Sequence, residues 1–329
     1  MFKRFKQNKR GYYSAIMFLV IFCISLLAEF VANDKPLIIR YKNHFYFPVF
    51  ISYIETDFGG DFETITDYRD PYVQKLIQKD GWFIFPPIPY NYTTINYNIT
   101  SPAPSAPSKD NWLGVDDNGR DVVARIIYGL RISLLFGLTL TFVTTIIGVI
   151  LGAVQGYFGG ILDILFQRFM EIWSGLPVLF LLIILSSIIE PNFWILLAIV
   201  ALFGWMSLVG IVRAEFLKVR NYDFVKSAKS IGCSNFRIIF HHILPNALTS
   251  TLATLPFILS SSIITLTALD FLGFGMSIES ASLGELLAQG KENINAYWLG
   301  ISGFMTVTII SILLVFIGEA IRDSFSLKD

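Results

Sequence analysis

"SAKSIGCSNFRIIFHHILPN", residues 227–246, lies between two long apolar stretches. It is too polar to cross a bilayer and too regular to be a plain connector. The pattern predicts a short helix, a break at Gly232, and a second helix running towards Pro245. Phe224, Ala228 and Ile231 stand at i, i+4 and i+7, which gives the first helix one apolar face. Ser227 and Ala228 keep that helix slim, so the backbone of a partner can approach closely. Gly232 suits the positive φ that ends a helix. Phe236, Ile239, Phe240 and Ile243 make the second helix amphipathic. By itself such a segment fits either a hairpin lying on lipid or a docking element for another protein.

The surrounding chain has 329 residues, of which 54% are hydrophobic, 15% aromatic and only 15% charged. Its mean hydropathy is +0.60. Those values belong to a polytopic membrane protein. The formal net charge is zero, so no global basic field argues for nucleic acid. Cys23 and Cys233, the two cysteines, are far apart and suggest neither a disulfide framework nor a metal site.

Crossing the ~30 Å hydrocarbon core takes about 20 mostly apolar residues. Six segments are predicted to do so: 12–32, 132–154, 175–190, 193–212, 248–269 and 298–318. The first is longer than the ~7–15-residue core of a secretory signal and is read as a retained span. The third is short from Pro177 and is expected to borrow a turn or two from the amphipathic stretch before it. Arginine and lysine then set the orientation. Residues 1–11 carry five of them, and 213–246 carry six. The 270–297 connection holds only Lys291. Both termini and the 213–246 loop are therefore expected in the cytoplasm, with 33–131 outside.

Residues 33–109 carry sixteen aromatic residues, including Tyr41, Phe45, Tyr46, Phe47 and Trp82. Disordered segments are poor in aromatics, so this external insertion is expected to fold, partly against the membrane surface. It closes on "SPAPSAPS" (101–108), read as an extended linker. The sequons at Asn91 and Asn98 are read as chance matches in an Asn-rich stretch. Around this insertion the chain divides into an N-terminus and peripheral span (1–32), a segment before the second span (110–131), a five-helix core (132–323) and a tail (324–329).

Several chemistries are absent from the sequence. No GxxxxGK[ST] phosphate cradle occurs. The histidines are His44, His241 and His242, and an adjacent pair lacks the spacing of a helical metal site. No ionisable residue falls near the middle of a predicted span, where a charge costs ~2.5–3.5 kcal/mol even on the gentlest scale. No ion relay is therefore visible, and uphill transport would draw its energy from another subunit. An ion-coupled secondary transporter, or a membrane enzyme or assembly factor, is the alternative class.

The 213–246 stretch resembles the cytoplasmic coupling loop of type I ABC importer permeases, whose pattern is E-A-A, three residues, G, then I-x-L-P. Lys226-Ser227-Ala228, Gly232 and "HILP" ending at Pro245 occupy those places. Lys226 stands where the family has Glu, and the Ala pair is half kept. "WLGVDDNGRDVVARIIYGLRIS" (112–133), "QGYFGG" (155–160), "ALDFLGFG" (268–275) and "IGEAIRDSF" (317–325) resemble, in the same order, segments of the oligopeptide and dipeptide branch. "GWMSLVGIVRAEFLKVRN" (204–221) and the aromatic insertion look like the Yej-type peptide importers, a system associated with microcin C uptake.

The resemblance implies an all-α, six-span inner-membrane permease that moves peptides and carries no cofactor. It also implies its partners: a second permease subunit, ABC ATPase subunits and a periplasmic peptide-binding protein. It assigns Phe224, Lys226, Ser227, Ala228, Ile231, Gly232 and Pro245 to ATPase coupling.

Within the fifth span Thr251, Thr254, Ser261 and Thr265 share one helical face. That face suits close helix packing or a peptide pathway, with Pro256 able to kink the span and open a cavity. Thr141, Thr145, Gly148 and Gly152 form a similar face on the second span. Asp270, Gly273 and Gly275 are expected to form a tight bend that helps gate the external mouth.

Overall fold

The computed structural model describes residues 2–99, 101–189, 191–277 and 280–326. In chain order the helices are α1 (Phe2–Gln7), α2 (Lys9–Leu26), α3 (Ala28–Val31), α4 (Pro71–Asp80), α5 (Val122–Phe158), α6 (Gly160–Ser174) and α7 (Val178–Ser186). They continue as α8 (Phe193–Gly204), α9 (Met206–Val219), α10 (Asp223–Ser230), α11 (Asn235–Arg237), α12 (Leu244–Phe271), α13 (Leu283–Glu292) and α14 (Tyr297–Ser326). Among the described residues five helical runs are long and apolar enough to cross a membrane; the bent pair α6–α7 makes six if counted as one span. That pair turns by 58° across Gly175, Leu176 and Pro177. Pro177 has no N–H to continue a helix and biases the residue before it away from helical geometry. From Pro177 the predicted third span holds only the nine residues of α7, and it reaches spanning length only if all of α6 is joined to it, more than the turn or two expected.

The chain forms two compact units. The first comprises 1–19, 134–277 and 307–329. Here α5 packs on α9 through glycines four residues apart. A Cβ placed on Gly148 would sit 2.9 Å from Leu208 Cβ, one on Gly152 2.8 Å from Val212 Cβ, and one on Gly156 2.4 Å from Phe216 Cβ. Side chains are excluded at these points, so the two backbones approach closely. This is the packing role expected for Gly148 and Gly152.

The second unit comprises 20–133 and 278–306. Its insertion departs from an all-helical description. A three-stranded antiparallel sheet in the order β2–β1–β3 is formed by β1 (Ile38–Tyr41), β2 (His44–Tyr46) and β3 (Gly81–Ile84). Alternation along β1 buries Ile39 and Tyr41. They join Phe58, Tyr68, Val73 and Ile77 in a core covered by α4. The aromatic richness of 33–109 is what builds this small core, since Phe58 alone meets the rings of Tyr41, Tyr46, Tyr53 and Tyr68. "SPAPSAPS" is not a free linker. Ser105 is buried, and its carbonyl accepts the Val115 N–H at 3.0 Å.

Candidate functional site

The 213–246 stretch folds as a platform with two arms. In the first arm, α10 ends in a Schellman cap. The Cys233 N–H reaches the Ala228 carbonyl at 3.1 Å, and Gly232 adopts φ +84°. Nothing lies within 4 Å of a Cβ built on Gly232, so its backbone angle, not space, selects glycine there.

The second arm is not a separate short helix. From Asn235 to Phe271 the chain is one 37-residue helical run, with a π-helical segment at Ile238–Ile243 just before Pro245. A proline inside a helix lacks an N–H, and its ring crowds the carbonyl four residues earlier. Widening to π geometry relieves that conflict, and such segments occur frequently at functional sites. The outer arm of the platform is therefore the end of the fifth span itself.

The apolar residues of α10 divide between two directions. Ala228 is only 7% exposed; it packs with Val225 against Tyr157, Phe216, Ile238 and Ile243. This corrects the placement of Ala228 on the outward face. Phe224 (43% exposed) and Ile231 (82%) do face out, with Lys226 and Ser227 beside them. Phe236 (69%) and Phe240, with ring centroids 4.3 Å apart, extend the same exposed apolar character on the second arm. The correction has a geometric cause. Ala228 lies three residues after Val225, so the two share one stripe of α10, the stripe turned towards the core that holds Tyr157 and Ile238. Pro245 is exposed, in the first turn of α12.

Three polar contacts fasten the platform to the core, and sequence reading missed all of them. Tyr157 donates to Asn235 Oδ1 at 2.6 Å, and its ring faces the Lys229 ammonium at 5.6 Å. Arg220 Nη1 donates to the carbonyls of Gly156 and Tyr157, at 3.2 and 3.3 Å, where α5 ends. Arg213 makes a two-pronged pair with Asp163, Nε to Oδ1 at 2.6 Å and Nη2 to Oδ2 at 2.7 Å. A carboxylate in the first turn after "QGYFGG" and an arginine in "VGIVRAEF" are the traces that the Arg213–Asp163 pair leaves in the sequence.

Along α12 the four hydroxyls do not share one environment. Thr251 is buried, Thr254 half-buried, and Ser261 and Thr265 are exposed. Each donates to a carbonyl of its own helix, at 2.7–3.2 Å. The oxygen lone pairs of Ser261 and Thr265 are left facing outward as acceptors. Pro256 sits beside an apolar cavity of about 420 Å³ also lined by Leu138, Leu255, Leu259 and Leu314. Thr141 and Thr145 reach this cavity with buried hydroxyls that make no hydrogen bond. A lining this apolar does not suit a peptide.

At the far end of α12, Asp270 Oδ1 accepts the Met276 N–H at 2.8 Å. Gly273 takes φ +80°, and a Cβ on Gly275 would fall 1.7 Å from Asp270 Oδ1. Asp270 therefore organises the bend that the two glycines permit.

Within the second unit, the segment before α5 is tied to α13 by buried charges. Arg120 pairs with Asp116 at 2.7 Å and with Glu285 at 2.8 Å, while Arg125 also binds Glu285. Burial alone would lower the Arg120 guanidinium, but Asp116 and Glu285 outweigh it and hold it above its ordinary value. Burial raises the Asp121 carboxyl, against the hydrogen bond it accepts from Asn111.

Residues 131–327 match the family described as "Binding-protein-dependent transport system inner membrane component". The chain belongs to this family. It is 56% identical over 322 residues to the protein named "Inner membrane ABC transporter permease protein YejE" of Escherichia coli (strain K12), covering 98% of this chain and 94% of that one. It is 51% identical to the "Peptidoglycan transport system permease protein YejE" of Agrobacterium fabrum, over 98% of this chain and 91% of the relative. The "Oligopeptide transport system permease protein OppC" of Bacillus subtilis is 32% identical, over 73% and 78% of the two chains. Among solved structures, an inward-facing MetNI methionine ABC transporter superposes with a TM-score of 0.52 at 15% identity. That match covers 61% of this chain and 95% of the other, and it speaks to fold alone. The chain is thus an ABC transporter permease of the inner membrane with several membrane-crossing helices.

Proposed function

We propose that this permease gives peptides a gated path across the inner membrane, driven by ATP hydrolysis in partner subunits. It works as a heterodimer with a second permease and receives its substrate from a periplasmic binding protein. The observation that carries the reading is the 213–246 platform. Phe224, Ile231, Phe236 and Phe240 are held outward on a scaffold continuous with the fifth span. A rigid exposed apolar patch suits docking, and its continuity with α12 lets a displacement there reach Ser261, Thr265 and the Asp270 bend.

Peptides are favoured as the substrate by the oligopeptide and dipeptide systems named among the relatives. The Agrobacterium name supports a second reading, in which the peptide is borne on a cell-wall fragment. The orientation follows the arginine and lysine bias, with both termini and the platform in the cytoplasm.

The test is gentle isolation of the chain and reconstitution of whatever co-purifies. An ATPase, a second permease and ATP-dependent uptake of labelled peptide are expected. Uptake that persists without ATP but collapses with an ionophore would overturn the reading in favour of an ion-coupled carrier. For orientation, a cysteine replacing Lys109 should react with an impermeant reagent in intact cells, and one replacing Ser230 should not. The reverse pattern inverts the topology.

A further inference from the structure

From Phe45 to Ile54 the chain reads FYFPVFISYI, ten residues without a charge. In a folded domain outside a membrane such a run would be buried. Here it is not. Phe50 is 72% exposed, and Phe45, Phe47, Ile51 and Ile54 are exposed too. The run is also held in shape. The Phe47 carbonyl accepts the N–H groups of Phe50 and Ile51, at 3.0 and 3.1 Å. The Phe47 N–H donates to the Tyr53 hydroxyl at 3.3 Å. An exposed apolar turn fixed by its own hydrogen bonds has a partner that is not water.

Its position says which partner. The ring of Phe50 lies 5.8 Å from that of Phe30. Phe30 lies in α3, which follows the first membrane helix after Leu27. Counted from Tyr12, about 20 helical residues rise roughly 30 Å before Val31, so Phe30 falls at the edge of the hydrocarbon. The ion pair of Glu29 with Arg131, at 2.9 Å, marks the polar side of that edge.

We propose that the turn Phe47–Ile51 is a membrane foot. Phe50 and Ile51 insert beside Phe30 into the headgroup–acyl boundary of the leaflet next to α3, and so fix the height of the insertion above the bilayer. Aromatic side chains are enriched at that boundary, and apolar groups there bury about 5–10 Å deep. The inference requires α2 to span the membrane but is independent of the substrate and of which side α3 faces.

Nitroxide labels test it. In a chain with Cys23 and Cys233 replaced by Ser, reconstituted in phosphatidylcholine nanodiscs, labels are placed at Phe50→Cys and Ile51→Cys. Leu19→Cys, on the exposed face of α2, serves as the lipid reference, and Lys79→Cys, exposed on α4, as the water reference. Collision rates with oxygen and with a water-soluble nickel chelate are then compared. At positions 50 and 51 an oxygen-to-nickel ratio several-fold above that of Lys79 and approaching that of Leu19 is expected. A ratio equal to that of Lys79 places the turn in water and overturns the proposal. Shielding from both reagents means that protein covers the turn, and overturns it equally. A water-like ratio at Leu19 would instead remove the first span, a failure distinguishable from that of the foot.

Discussion

The phenol of Tyr157, in the last turn of α5, donates a 2.6 Å hydrogen bond to Asn235 Oδ1, 78 residues further along the chain. Through the Lys229 contact the same ring touches the other arm of the platform. One side chain of the core thus holds both arms. Tyr157→Phe keeps the ring and removes the hydrogen bond, typically worth ~0.5–1.5 kcal/mol. ATPase activity should then be less well coupled to peptide uptake, with assembly retained. Asn235→Ala should do the same, and the double variant should be no worse than either single one. Additive losses in that cycle would mean that the two residues act separately.

Docking and folding separate across the platform. Ile231→Asp and Phe236→Asp should abolish ATPase pull-down while thermal stability in detergent stays close to that of the parent, because both side chains are exposed. Ala228→Asp places a carboxylate in the buried cluster with Tyr157 and Ile238 and should lower stability itself. Lys226→Glu, on an exposed side chain, should be mild, since rim charges are worth ~0–1 kcal/mol. If Ile231→Asp still captures the ATPase, the exposed patch is not the docking surface.

The α5–α9 contact should reject any side chain at its glycines. Gly152→Leu has to displace Val212 and the Val209 carbonyl, an overpacking of ~1–3 kcal/mol or more. A clear loss of monodisperse protein on size-exclusion chromatography is expected. Gly210→Ala has open space around its Cβ and should behave as the parent. Equal behaviour of the two variants would contradict the close packing.

Arg125 and Glu285 should be mutually dependent. Removing one partner of a buried pair strands the other charge, at a cost of ~3–5 kcal/mol. Arg125→Met and Glu285→Gln should each expose the segment before α5 to limited proteolysis. Changing both together should restore part of the resistance. Unchanged digestion of Arg125→Met would show that the segment is held by other contacts.

Asp270 builds the bend through its bond to the Met276 N–H, and the gating role proposed for it acts through that bend. Asp270→Asn keeps a side-chain acceptor and should preserve assembly while altering the uptake rate. Should assembly fall in parallel with uptake, Asp270 is a structural turn residue and nothing more.

The sequence by itself determined five of the membrane-crossing stretches, the family and the presence of a platform broken at Gly232. These rest on patterns local to a helix or a turn: apolar length, i/i+4/i+7 spacing, and a glycine that ends α10 at φ +84°. Gly148 and Gly152 fitted close packing, one of the readings open to a face of small and hydroxyl residues on an apolar helix. Tertiary structure alone decided what those local patterns meet. Ala228 turned inward because a core containing Tyr157 and Ile238 stands on that side. The second arm became the end of the fifth span because π geometry let the helix run on into Pro245. The pairs Tyr157–Asn235, Arg213–Asp163 and Arg125–Glu285 join residues 78, 50 and 160 positions apart. Partners at such separations are selected by how helices and loops stack in space, and one chain's local periodicity carries no record of that.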